Sequence, residues 1–181
     1  IVTDMLQNIK DINYSTSFFE PGCGDGNFVN EILKLKLNQL FKLSEVKKSL
    51  SHGYFEEFEH KLSILVGSIY AVEIDKSNRN KTIERLFETT KNYYEKKGGS
   101  DINFLEIIYK ILQKNIILGD LLNNIESIQI YEFSELPGYK VKIRIFRFSD
   151  LLYPDEEVFK DDLKLFGHIP QAMKEFDSTI Y

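Results

Sequence analysis

The sequence predicts an α/β fold, a three-layer sandwich built from parallel βαβ units. Three observations carry this. Short β-rich runs alternate with amphipathic helical stretches from Ile1 to Leu121. The first run enters Glu20-Pro-Gly-Cys-Gly-Asp-Gly26, a turn that needs the conformational freedom of glycine. An acidic residue stands at the end of each of three successive runs, as Glu20, Glu73 and Asp120. In open α/β sheets, ligands bind at the carboxyl ends of the strands.

Ile1, Met5, Leu6 and Ile9 have helical spacing, so the segment to Ile12 reads as the end of a helix. Ser15–Phe19 is a short aromatic strand running into the glycine turn. Asn27–Leu43 is a helix, with Phe28, Ile32, Leu33, Leu35 and Leu40 on its apolar face. Residues 44–67 form a further helical stretch, an insertion before the second strand, around Phe55, Phe58, Leu62 and Leu65. Ser68–Ile74 is a buried strand. Asp75 and Ser77 are N-cap candidates for a helix over Asn78–Lys96. Gly98 and Gly99 interrupt the chain before a helix over Asp101–Gln113, and Asn115–Leu118 is the third strand. Ser127–Phe133 and Tyr139–Phe148 flank the turn signal Leu136-Pro-Gly-Tyr139 and read as a hairpin. An acidic tail covers 154–181.

Composition narrows the classes. The 181 residues suit a single domain, 1–181, large enough for one core. Hydrophobic residues make up 43 % and charged residues 28 %, which argues for a globular chain. No apolar run nears the ~18–20 residues that cross a bilayer, so no membrane contact is expected. The net charge of −5 argues against a chain that holds DNA by itself. The single cysteine, Cys23, excludes internal disulfides and multi-cysteine metal or iron–sulfur sites, and suits a reducing cytoplasm. Ile1 in place of an initiator Met reads as a trimmed start.

The glycine turn and its acids point to a ligand. The helix after the turn offers free N–H groups and a positive dipole end, which suit a carboxylate or a phosphate equally. The acids separate the two. Glu20, at the mouth of the turn, repels a pyrophosphate and accepts from an amino group. Glu73 is placed to accept both hydroxyls of a ribose, and Asp120 can accept from the exocyclic amine of an adenine. A cationic amino-acid nucleoside, S-adenosyl-L-methionine, fits all three. The dinucleotide pattern fails because its third glycine position falls on Asn27, and no Gly-Lys-Ser/Thr occurs for a P-loop. Taken singly, Asp75 reads as an N-cap and Asp120 equally well as turn chemistry.

Phe18-Phe-Glu-Pro-Gly-Cys-Gly-Asp-Gly-Asn-Phe28 resembles the first motif of the amino-methylating DNA methyltransferases, Asp/Glu-Pro-Ala/Gly-Cys-Gly-x-Gly-x-Phe. Ile69-Tyr-Ala-Val-Glu-Ile-Asp75 resembles their second motif and Asn115-Ile-Ile-Leu-Gly-Asp-Leu121 their third. The proline–cysteine flavour of the turn points to N6-adenine enzymes of restriction–modification systems. The likeness covers residues 1–122, and Ile1–Leu6 resembles the stretch just after the family's N-terminal cofactor-helix motif. Phe146–Leu152 and the segment around Ile169-Pro170 and Lys174–Phe176 resemble short restriction-system methylase subunits. The resemblance implies a Rossmann-like methyltransferase fold and a cytoplasmic, S-adenosyl-L-methionine-dependent enzyme. Glu20, Pro21, Gly22, Cys23, Gly24, Gly26 and Phe28 would form the methionine end of its site. Glu73 would hold the ribose, Ile74 would pack on the adenine, and Asp120 with Leu121 would meet the adenine edge.

One family feature is missing. N6-adenine enzymes carry Asp/Asn-Pro-Pro-Tyr/Phe, whose side chain and backbone carbonyl accept the amine protons while the aromatic ring stacks on the flipped base. The four prolines here are Pro21, Pro137, Pro154 and Pro170, and no two are adjacent. A cytosine-C5 enzyme needs a nucleophilic cysteine in a separate loop, and Cys23 lies in the glycine turn. Asp150, in Ser149-Asp-Leu-Leu152 with Tyr153 close by, is a weak catalytic candidate, with a helix cap as the plainer reading. His52 and His60 read as exposed helical residues and His168 as part of the tail, with no metal-binding pattern among them. Lys140, Lys142 and Arg144 alternate on one strand face with Arg147 beyond, a solvated face or a phosphate contact.

Three functions remain open at this point. The chain is the cofactor-binding subunit of a split DNA adenine-N6 methyltransferase, with the catalytic motif on a partner subunit and DNA bound through the complex. Alternatively it is a complete methyltransferase acting on a small molecule or a protein. The third option is a non-catalytic scaffold of the same fold.

Overall fold

The computed structural model describes residues 12–47, 54–152 and 174–179. The expected helix before Ile12, His52, His168 and most of the tail lie outside them. The chain runs β1 (Phe18–Glu20), α1 (Asn27–Lys47), α2 (Tyr54–Gly67), β2 (Ile69–Glu73), α3 (Lys76–Lys96), α4 (Ile102–Asn115) and β3 (Ile116–Leu118). A 3₁₀ turn at Ile125–Ser127 leads to β4 (Gln129–Leu136), β5 (Lys140–Arg147), α5 (Phe148–Leu152) and β6 (Lys174–Thr179).

β1, β2 and β3 form a parallel sheet in that order, with Phe18 paired to Ile69 and Ala71 to Ile116. Each crossover moves one strand in the same direction, so the right-handed rule puts both helix pairs on one face. Alternation along β2 confirms it. Ile69 and Ala71 point into the core shared with α1–α4, among Leu33, Leu37, Leu62, Leu65, Leu86 and Ile108. Each fully buried leucine there contributes about 1.5–3 kcal/mol.

Tyr70 and Val72 point the other way, into a second cluster with Ile128, Ile130 and Phe146. The opposite face of the parallel sheet is therefore covered by the β4–β5 hairpin and not by helices. That hairpin has the expected turn at residues 136–139, and β6 extends it to a three-stranded antiparallel sheet. Its other face joins the helical core, where Phe133 lies against Gly67 so closely that a Cβ there would meet the ring at 2.8 Å.

Several boundaries follow local chemistry. Asp75 caps α3, its carboxylate accepting from the Asn78 N–H at 2.7 Å, so the helix starts at Lys76 and Ser77 lies inside it. Asp101 caps α4 by accepting from Asn103 N–H at 2.8 Å. Asn115 Nδ2 donates to Gly67 O at 2.8 Å and ties the end of α4 to the end of α2. On α1, Leu35 is exposed, while Leu37 and, unexpectedly, Lys36 are buried. The Lys36 amine donates to Thr16 O at 2.6 Å and to the Ser68 hydroxyl. Burial lowers its pKa to about 7.

Candidate functional site

The carboxyl ends of β1, β2 and β3 lie side by side. After β1 the chain turns through Pro21–Gly26 into α1. Gly24 and Gly26 have φ of +55° and +81°, which L side chains rarely adopt. Gly26 also has no room for a side chain, since a Cβ there would sit 2.7 Å from the side chain of Thr82. Above Gly22 and Gly24, by contrast, nothing lies within 4 Å of where a Cβ would be, so the backbone is open to close approach. Pro21 and Gly22 are exposed, Glu20 is half-buried, and Phe28 packs on Phe18 with ring centroids 5.8 Å apart.

Glu73 joins the turn to the second strand. It is buried, and its Oε2 accepts from Gly24 N–H at 2.7 Å while its Oε1 accepts from Asp75 N–H at 2.9 Å. A carboxylate has about four lone-pair positions, so each oxygen retains acceptor capacity. The backbone closes the arrangement: Cys23 N–H donates to Val72 O at 3.2 Å and Gly119 N–H to Glu73 O at 3.0 Å. All three strand ends thereby meet at Glu73. Exposed Ile74 and Leu118 flank it, 68 % and 48 % accessible.

Asp120 does the turn chemistry its sequence allowed. Its Oδ1 accepts from the N–H groups of Leu122 and Asn123 at 2.9 and 3.0 Å, and its Oδ2 from Asn123 Nδ2 at 2.7 Å. The bond from the Asn123 side chain is the main reason its pKa lies below the usual value. Leu121 is half-buried against the second core cluster. Cys23 is buried, and burial pushes its thiol pKa up.

Two residues that the sequence did not flag hold the turn from α3. Thr82 Oγ1 donates to Gly24 O at 2.9 Å. Arg85 donates to the Asn27 side-chain oxygen and pairs with Asp25 at 3.3 Å. Their signal was hidden because Thr82 and Arg85 read as ordinary positions of an amphipathic helix.

Elsewhere the structure revises two readings and places a third residue. His60 is buried, with its Nε2 3.4 Å from Glu135 Oε1 and its ring edge-on to Tyr139. The strand face of Lys140, Lys142 and Arg144 is not uniformly solvated, because Arg144 is buried in a 3.3 Å pair with Glu132. Asp150 lies in the first turn of α5, paired with Arg147 at 3.0 Å. Its helix follows β5, and the neighbouring Phe148 stacks on Phe19 of β1 with ring centroids 4.8 Å apart. Among the described residues, no helix is long and apolar enough to cross a membrane, and no group of three or more His, Cys, Asp or Glu could hold a metal ion.

The arrangement can accept hydrogen bonds and offer apolar surface to a ligand. It combines an open glycine turn at a helix start, a half-buried acid at its mouth, a buried acid with spare acceptor capacity and flanking apolar surfaces. In comparisons with known proteins, no family model, no curated protein and no solved structure matches this chain.

Proposed function

We propose that this chain is the cofactor-binding subunit of an S-adenosyl-L-methionine-dependent DNA adenine-N6 methyltransferase of a restriction–modification system, its catalytic motif supplied by a partner. The observation that carries this reading is the 2.7 Å bond from Gly24 N–H to Glu73, which joins the glycine turn and the buried strand-end acid into one site. The Rossmann-like methyltransferase fold is part of the same proposal, supported by the parallel order β1-β2-β3 with both crossovers on one face.

The bound cofactor would supply an activated methyl group; the chain supplies binding and orientation. Glu20 accepts from the amino group of the methionine end, and the first turn of α1 receives its carboxylate. The outward lone pairs of Glu73 take the ribose hydroxyls. Ile74 and Leu118 bracket the adenine, and Leu121 lies at its edge. Asp120 holds its loop in shape, with its remaining acceptor capacity facing the same edge. An aromatic amine is a weak nucleophile and needs two proton acceptors and a stacking ring. The absence of adjacent prolines leaves that grip to a partner.

The test is purification of the full-length protein from its native cells at low salt, with mass spectrometry of the proteins that accompany it. A stoichiometric partner carrying Asn/Asp-Pro-Pro-Tyr/Phe, and methylation of DNA adenine by the pair but by neither alone, is expected. Methylation of DNA by this chain alone contradicts the split arrangement. Transfer to a small molecule or protein without a partner would establish the stand-alone alternative.

A further inference from the structure

We propose that Thr82 is a positioning residue for the amino-acid end of the ligand, aiming the backbone N–H of Asp25 into the site through the carbonyl of Gly24. This role rests on the glycine turn being the cofactor site, and it falls on a helix that supplies no residue of the resemblance.

Thr82 and Thr90 are both fully buried on α3. Thr90 does what a buried helical threonine ordinarily does, donating back to its own helix at Leu86 O, 2.8 Å away. Thr82 instead donates across to Gly24 O at 2.9 Å, in the first βα unit. Its side chain also fills the space beneath Gly26 that a Cβ would occupy. Arg85 then holds Asp25 and Asn27, and Thr89 donates to the Asn30 side chain at 2.8 Å. These side chains make a polar stripe on α3 that tracks the turn and the start of α1.

The consequence is geometric. A trans peptide directs its C=O and N–H to opposite sides. With Gly24 O drawn inward to Thr82, the N–H of the same peptide, that of Asp25, is turned away from α3 and toward the open side of the turn. The preceding peptide is fixed independently, because Gly24 N–H is held by Glu73. Each side of Gly24 is therefore set by the second βα unit: one by the tip of β2, the other by α3. An outward N–H beside the start of α1 is the group a carboxylate requires. The nucleoside end lies with Glu73 and does not depend on Thr82.

The test compares two probes on the full-length protein by calorimetry: S-adenosylhomocysteine, which carries the amino-acid end, and 5′-methylthioadenosine, which lacks it. Thr82→Val keeps the shape and removes the hydroxyl; Thr82→Ser keeps the hydroxyl. Loss of one directed bond predicts about tenfold weaker S-adenosylhomocysteine binding in Thr82→Val. Its 5′-methylthioadenosine affinity should stay within about twofold, and Thr82→Ser should bind both probes nearly as wild type does. Unchanged S-adenosylhomocysteine affinity, or equal weakening of both probes, overturns the role of Thr82 while leaving the cofactor site standing. Failure of the wild type to bind either probe overturns the cofactor reading, and the inference with it. Should the valine variant not fold, Thr82→Ala gives the same comparison.

Discussion

Gly24 and Glu73 lie 49 positions apart and are joined by a 2.7 Å hydrogen bond from the backbone N–H of one to the side-chain carboxylate of the other. The glycine turn is therefore not a free loop. Its shape depends on a buried carboxylate that retains acceptor capacity.

Replacing Glu73 should damage both. In Glu73→Gln, one of the two backbone donors at Gly24 and Asp75 must face an amide NH₂, and the other keeps only a neutral acceptor. Hydrogen bonds to charged groups are worth about 1.5–3 kcal/mol, so cofactor affinity should fall roughly 10- to 100-fold. Calorimetric titration of the variant with S-adenosylhomocysteine checks this; wild-type affinity would contradict it.

The glycines should separate folding from binding. Gly26→Ala places a Cβ at φ +81° and 2.7 Å from Thr82, so it should lose about 3 kcal/mol of stability. Gly22→Ala meets no atom within 4 Å and should change stability by less than about 0.5 kcal/mol. Its methyl stands in the space open to a ligand, so binding should fall at least about tenfold without loss of fold. Urea denaturation beside titration distinguishes the two outcomes.

Lys36 should give the fold a pH signature. Burial lowers its pKa to about 7 in the folded chain, against about 10.4 when unfolded. Between these values the unfolded chain binds more protons, so this group makes stability rise with pH. Below about pH 7 both states are protonated and the full cost of the buried charge is felt. Lys36→Met should remove that dependence. Relative to the wild type, its stability should fall by about 2–3 kcal/mol on going from pH 7 to pH 9. Urea denaturation of both proteins at the two values measures the difference, and parallel curves would contradict it.

Cys23 should be inert while the protein is folded. Its side chain is buried, and burial raises the thiol pKa, so little thiolate is present at neutral pH. Alkylation by iodoacetamide should run roughly 100-fold slower in native buffer than in urea. Equal rates would place the thiol at the surface of the turn.

Much of this was legible in the chain. Gly22, Gly24 and Gly26 announced the turn because so tight a strand-to-helix junction selects for residues without a Cβ. Ile69–Glu73 announced β2 because its apolar run is buried on both faces. Asp75 announced its cap, and Asp120 its turn, because those bonds are local. The features that stayed hidden depend on partners distant in sequence. His60 is buried because Glu135 and Tyr139 come back over it. Arg144 leaves solvent because Glu132 stands opposite it in the ladder. Thr82 looks like any helical threonine until its hydroxyl is found on Gly24. The hairpin on the back of the parallel sheet was legible as a hairpin; its place was not. Periodicity shows which residues seek burial and says nothing of what buries them. β6 was missed because Lys-Glu-Phe-Asp-Ser-Thr carries a single aromatic and no apolar alternation.

The proposed site holds S-adenosyl-L-methionine at the meeting of Gly24 and Glu73. Equilibrium dialysis of the full-length protein against tritiated S-adenosyl-L-methionine, beside Glu73→Gln, addresses it directly. Saturable binding of about one molecule per chain, competed by S-adenosylhomocysteine and lost or much weakened in the variant, is the expected result. No saturable binding up to about millimolar ligand, by the chain alone and with its co-purified partner, would contradict the account.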